Sequence, residues 1–149
     1  MDLSPDERSR TVISSRVIDA VLDDAFDAYA NPAKLVRWWG PIGFTLTTES
    51  IDLRQGGHWR FVFKGPDGKE YKNHLVFRTI TPPHLFVVDH ISGPSYLGTV
   101  TLEPIGQKTC VTMYWTIEDP HVFAKIRDVV VAGNEGNLDR LSELLAGRR

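Results

Sequence analysis

Two adjacent tryptophans, closed off by glycine and proline, stand in the segment Trp38-Trp39-Gly40-Pro41-Ile42-Gly43-Phe44. Gly40-Pro41 ends a helix, so the indoles sit at a helix terminus. The segment Asp52-Leu53-Arg54-Gln55-Gly56-Gly57-His58-Trp59-Arg60-Phe61 follows, its aromatic residues recurring with the period of a strand. A helix carrying two tryptophans, set against a strand of alternating aromatics, suits an apolar pocket better than a polar active site. A single domain of 149 residues can cover that ring surface, since a chain of this size buries roughly 70% of the area its unfolded form exposes.

Hydrophobic residues make up 42% and charged residues 24%, which fits a globular domain and neither disorder nor a membrane span. No stretch reaches the roughly 18 apolar residues of a membrane helix, so membrane insertion is not expected. The net charge is -2 and the pI about 6.2. A nucleic-acid binder would more often show a clustered basic face, so nucleic acid is not an expected partner. Cys110 stands alone and cannot form an internal disulfide. Its place in an alternating run predicts a small buried or half-buried side chain in a reducing compartment. The charged segment from Met1 to Arg10 lacks the apolar core of a signal peptide, and cytoplasmic residence is expected. Residues 1–10 read as a flexible tail and residues 11–149 as one domain.

Seven strands are expected. Thr11 to Asp19 is the first, and Asp23 or Asp24 then offers a cap for a helix over Ala25 to Ala30. Asn31-Pro32 begins a second helix, with Asn as cap and Pro in its first position. Phe44 to Leu53, His58 to Lys64 and Glu70 to Ile80 are strands, the last two joined as a hairpin through Pro66-Asp67-Gly68. Pairing Lys64 near Glu70 puts Trp59, Phe61 and Phe63 on one concave face with Tyr71, Asn73, Leu75 and Phe77. His58, Arg60, His74 and Arg78 then point outward. Leu85 to Ile91, Leu97 to Glu103 and the alternating run through Val111, Met113 and Trp115 complete the set. Asp119-Pro120 starts a helix that runs to Leu145, with Gly147 beyond it. Its apolar stripe of Phe123, Ile126, Val130, Leu138, Leu141 and Leu145 is broken by Gly133, Asn134 and Asn137. Close approach of the sheet or of a ligand would explain the break, as would solvent reaching the middle of the helix.

Strand, two short helices, six strands and a long C-terminal helix is the order of the helix-grip fold, an α+β architecture whose curved antiparallel sheet wraps that last helix. Asn31-Pro32, Arg37-Trp38-Trp39-Gly40-Pro41, Gly43-Phe44, Asp52-Leu53-Arg54, Gly56-Gly57, Trp59-Arg60-Phe61, Gly65-Pro66-Asp67-Gly68, Ile80-Thr81-Pro82-Pro83 and Leu138-Asp139-Arg140-Leu141 agree with it. With these motifs the chain resembles the START-like (SRPBCC) superfamily over residues 11–146. It is most similar to the bacterial branch named after the activator of the heat-shock-protein-ninety ATPase. The resemblance implies a scaffold that serves lipid carriers, hormone receptors, polyketide cyclases and co-chaperones alike. Two positions depart from the pattern: many relatives carry Trp near Asn134 and Glu near Thr79.

Three functions are compatible with this reading. The first is a binding domain for a small hydrophobic or aromatic molecule, held between sheet and C-terminal helix. Its candidate contacts are Trp39, Trp59, Phe61, Asn73, Leu75, Phe77, Met113, Trp115, Phe123, Ile126, Val130 and Asn134. The aromatics among them could line a cavity or fill a core, and Asn73 and Asn134 could orient a ligand or bond to main chain. The second is an interaction module with a chaperone as partner, which predicts an exposed patch and little internal volume. The third is a cofactor-free cyclase, hydrolase or isomerase using Asp89 or His90. These residues are strand neighbours, so one faces inward, but a one-residue change of register exchanges them. His58, His74, His84, His90 and His121 show no metal-ligand spacing, and Gly56-Gly57 lacks the lysine and helix of a phosphate loop; neither metal nor cofactor is expected. An outward strip including Val76 and Val87 would suit a homodimer, and the choice between monomer and homodimer stays open.

Overall fold

The computed structural model describes residues 2–147. Seven antiparallel strands form one sheet in the order β1-β7-β6-β5-β4-β3-β2. They are β1 (Thr11–Ile18), β2 (Thr45–Ile51), β3 (His58–Lys64), β4 (Glu70–Thr81), β5 (Leu85–His90), β6 (Tyr96–Ile105) and β7 (Lys108–Ile117). From β2 to β7 the chain meanders between neighbours, while β1 crosses to pair with β7. The first two strands therefore occupy opposite edges. Six spacings of about 4.8 Å separate them by about 29 Å along the sheet, and α2 (Leu22–Ala30) and α3 (Pro32–Trp38) bridge that distance. The long helix α4 (Pro120–Leu145) completes the helix-grip architecture.

Local chemistry places these elements close to where the residue pattern puts them. Asn31 caps α3, its Oδ1 accepting from Ala33 N at 3.1 Å, and Asp119 caps α4 by accepting from His121 N at 2.8 Å. In the β3–β4 hairpin Lys64 pairs with Glu70 and Trp59 with Leu75. Trp59, Phe61, Leu75 and Phe77 are buried, whereas His58, Arg60 and Arg78 are exposed. His74 is half-buried against His58, with Nδ1 of His58 2.7 Å from Nε2 of His74.

Two expectations need correction. Asp23 and Asp24 do not cap α2. The helix begins at Leu22 after Val21, with no side-chain cap, and both carboxylates lie inside the first turn, where they complement the helix dipole. Val87 is not part of an exposed strip; it is 9% exposed. It sits on an inner strand between Thr79 of β4 and Thr99 of β6. Within the segment read as a tail, Pro5–Arg8 forms one helical turn, α1, with a reciprocal Ser4–Glu7 capping box. Arg10 beyond it donates from Nη1 to the Ile117 carbonyl at 2.9 Å.

The concave face is filled from both sides. Trp38, fully buried, donates from Nε1 to the Ala28 carbonyl at 2.9 Å, which locks α2 to α3. Tyr29 packs edge-on against Trp38 at 4.7 Å and against Phe86 at 5.3 Å. On β1, Arg16 reaches across to Glu135 and Asp139 of α4. These ion pairs are partly exposed and each contributes on the order of 0–1 kcal/mol, so the apolar packing of Leu138 and Leu141 does more to hold the helix down. Among the described residues, no helix is long and apolar enough to cross a membrane.

The Tyr29 hydroxyl is buried in this core and, among the described residues, has no hydrogen-bond partner. Burial pushes its phenol above the usual range. An unsatisfied buried hydroxyl costs about 1–3 kcal/mol. Tyr29→Phe is therefore expected to raise the stability measured by urea unfolding by about 1 kcal/mol; a loss of that size would contradict this account.

Candidate functional site

The helix α4 is held firmly at one end only. Its second half buries Asn134, Gly136, Asn137, Leu138 and Leu141, whereas in the first half Phe123, Ile126 and Val130 are only half-buried. Asn137 Oδ1 accepts from Gly40 N at 2.9 Å, and Arg140 Nη1 donates to the Gly40 carbonyl at 2.9 Å. Two side chains one turn apart thus hold the backbone that follows the tryptophan pair. Gly40 has φ +114°, and a Cβ there would lie 2.4 Å from the Phe63 ring. The loop can turn under the helix only because that side chain is missing.

Beneath the middle of α4 lies a cavity of about 220 Å³. The loop supplies Trp39, Gly40 and Pro41, the sheet supplies Phe63, Asn73, His90, Tyr96 and Trp115, and α4 supplies Val129, Val130, Gly133, Asn134 and Asn137. One wall is a continuous stack. His90 lies 4.6 Å from Tyr96 with their planes 12° apart, and Tyr96 lies 5.5 Å from Trp115 at 25°. Val129, 72% exposed, marks the rim. A second hollow of about 340 Å³ lies beside Ile42, Asp139, Arg140 and Glu143, but its charged lining does not suit an apolar guest.

His90 is the inward member of the Asp89-His90 pair, 5% exposed and paired across β5 and β6 with Tyr96. Asp89 lies on the other face beside Arg10, Arg78 and Glu118. The imidazole has no free nitrogen. Nδ1 lies 2.9 Å from the Pro94 carbonyl, and Nε2 lies 2.7 Å from Asn73 Oδ1 and 3.3 Å from Ser92 Oγ; a neutral ring, with one N–H, donates to only one of the two carbonyl oxygens. Burial holds its pKa below the ordinary 6.5, offsetting the raising effects of the Pro94 carbonyl and Asp89, and nearby His74 lowers it further. Asn73 is engaged at its other end too, donating from Nδ2 to the Tyr71 carbonyl at 3.0 Å.

The model of the family described as Activator of Hsp90 ATPase homolog 1-like protein matches residues 19–146. The chain belongs to that family. Solved structures agree with this fold. A protein from Arthrobacter aurescens superposes with a TM-score of 0.86 at 22% identity, over 98% of this chain and 91% of that one. One from Mycobacterium smegmatis gives 0.82 at 22% identity, over 100% and 99%. The AHSA1 protein of Silicibacter pomeroyi gives 0.73 at 21% identity, over 93% and 99%. At these identities the likeness concerns the fold. No curated protein matches the chain.

In this member of the Hsp90-activator-like family the expected contact residues divide into three groups. Trp39, Asn73, Trp115, Val130 and Asn134 line the cavity. Trp59, Phe61, Leu75, Phe77 and Met113, at most 1% exposed, lie in solid core beneath it. Phe123 and Ile126 lie half-buried on the first half of α4, outside the lining. Tyr96 was missed because Ser92-Gly93-Pro94 reads as a turn leading to a strand at Leu97. The alternation Tyr96, Gly98, Val100, Leu102 was available to extend that strand by one residue. The solvent explanation for the break in α4 does not hold: Asn134 and Asn137 are 3% and 8% exposed. Asn137 is there for Gly40, and Gly136 lets Ile42 approach, since a Cβ at 136 would lie 2.9 Å from Ile42 Cγ1.

Two outcomes follow for the free protein. Gly40→Ala should lower stability by about 1–3 kcal/mol or more in urea unfolding. For His90 the sign is set by its lowered pKa. Above pH 6.5 the ring is neutral in both states; as pH falls through 6.5 the unfolded chain gains a proton that the folded chain resists, so stability falls. Urea midpoints taken between about pH 7 and pH 5 should decline less in His90→Gln than in the parent, and equal slopes would contradict the assignment.

Proposed function

We propose that this protein binds a small apolar or aromatic molecule in the cavity between the concave sheet and α4, with the α3–β2 loop at its mouth. The observation that carries the reading is Gly133. It lines the cavity in the middle of a helix, and a Cβ built there meets nothing within 4 Å. A mid-helix glycine costs about 1 kcal/mol relative to alanine, and here no neighbour requires it. What its absent side chain preserves is space, in keeping with the usual exchange of stability for function at binding sites.

Catalysis has weaker support. His90 meets the requirement of facing inward with a shifted pKa, yet its nitrogens already lie 2.9 Å from the Pro94 carbonyl and 2.7 Å from Asn73 Oδ1, which crowds out a reacting atom. The family name favours a second reading, a module that modulates a heat-shock ATPase. The exposed Ile42 and Val129, at 66% and 72%, would then belong to a contact surface. An internal volume of about 220 Å³ favours the binding domain over this alternative. A cytoplasmic setting belongs to the same proposal and accords with the unpaired Cys110.

Gly133→Leu distinguishes the two. It places an isobutyl group in the cavity on a better helix former, so unfolding should show stability kept or raised. In a thermal-shift panel of apolar and aromatic compounds, the parent should be stabilised by at least one class and the variant by none of that class. A parent protein that responds to no compound and co-purifies with none in native mass spectrometry would sink the binding reading in favour of the interaction module.

A further inference from the structure

Several polar side chains around the cavity already have neighbours. Asn73 donates to the Tyr71 carbonyl, its Oδ1 and the Pro94 carbonyl flank the two nitrogens of His90, and Asn137 Oδ1 takes Gly40 N–H. Among the described residues, the buried side-chain nitrogen and oxygen atoms left without a partner are the Tyr29 hydroxyl and Asn134 Nδ2, and of these two residues Asn134 alone lines the cavity. Asn134 is 3% exposed, so water does not readily serve it. An orphaned amide N–H at that depth is costly unless something accepts from it.

Three further features limit what that acceptor can be. An apolar cavity of about 150 Å³ holds a benzene ring, so about 220 Å³ holds one substituted ring or a fused pair. The stacked wall of His90, Tyr96 and Trp115 offers a flat face. Gly133 leaves room next to Asn134. Among the described residues lining the cavity there is no Lys, Arg, Asp or Glu, and His90 has no free N–H, so an ionised guest would be buried without a counter-charge.

We infer that the ligand is a neutral aromatic carbonyl compound of one ring or two fused rings, whose carbonyl oxygen accepts a hydrogen bond from Asn134 Nδ2. This rests on the binding-domain reading above and adds a specificity residue to it. The matched probes are 1-indanone and indane, which differ only in the carbonyl. By calorimetric titration the parent should bind 1-indanone roughly tenfold more tightly than indane, and Asn134→Leu should bind indane at least as well as the parent while losing the preference. The Asn134 side-chain amide resonance of the parent should move on adding 1-indanone and not on adding indane, a readout that needs no variant. Equal affinity for the two probes in the parent, or a preference that survives in Asn134→Leu, overturns the role of Asn134 while leaving the cavity a binding site. Binding of neither probe overturns the inference and counts against the cavity reading as well.

Discussion

The contact on which the site depends is the grip of Asn137 and Arg140 on the backbone of Gly40. It joins the C-terminal helix to the loop that follows the tryptophan pair, two segments nearly a hundred residues apart in the chain. A seven-stranded sheet with β1 and β2 at opposite edges cannot close over its own concave face, so α2, α3 and α4 must cover it. Pinning α4 near its C-terminal half closes that end. The cavity lies under the middle of the helix, lined by Val129 and Val130 of its first half and Gly133, Asn134 and Asn137 of its second.

Inside that space the energetics differ from those of the core below. Trp59, Phe61, Leu75, Phe77 and Met113 are packed against one another with nothing left open, which is how buried apolar groups contribute most. Above them, Asn73, His90 and Asn137 carry hydrogen bonds that hold a wall in place, and Tyr96 stacks between His90 and Trp115. A buried polar network that is nearly complete rigidifies its surroundings, and the one unmatched donor in it then stands out as a point where a partner would be accommodated. Asn134 and Gly133 have this character because they weaken a helix that would be more stable without them.

Much of the architecture could be read directly along the chain. Asn31-Pro32 and Asp119-Pro120 start helices where their side chains cap the backbone. The alternation of Trp59, Phe61 and Phe63, with Pro66-Asp67-Gly68 after it, was enough to pair Lys64 with Glu70. The candidate site was legible only in part. Trp39, Trp115, Val130 and Asn134 came out of the same patterns, but so did five residues that turned out to be core, because a ring that lines a cavity and a ring that fills one occupy the same strand positions. Whether space remains beside them is settled by how α4 packs over the sheet, which no local pattern records.

The sequence alone determined the elements, because caps, turns and hydrophobic periods are properties of residues within a few positions of one another. It also determined that one of Asp89 and His90 faces inward, since side chains alternate along a strand. Which of the two faces inward was decided by tertiary structure, through the pairing of His90 with Tyr96 that sets the face of every residue on β5. The fates of the two asparagines on α4 were decided in the same way. Asn137 met the backbone of Gly40 whereas Asn134 Nδ2 was buried without a partner, and the difference lies in a loop folded in from the far side of the sheet.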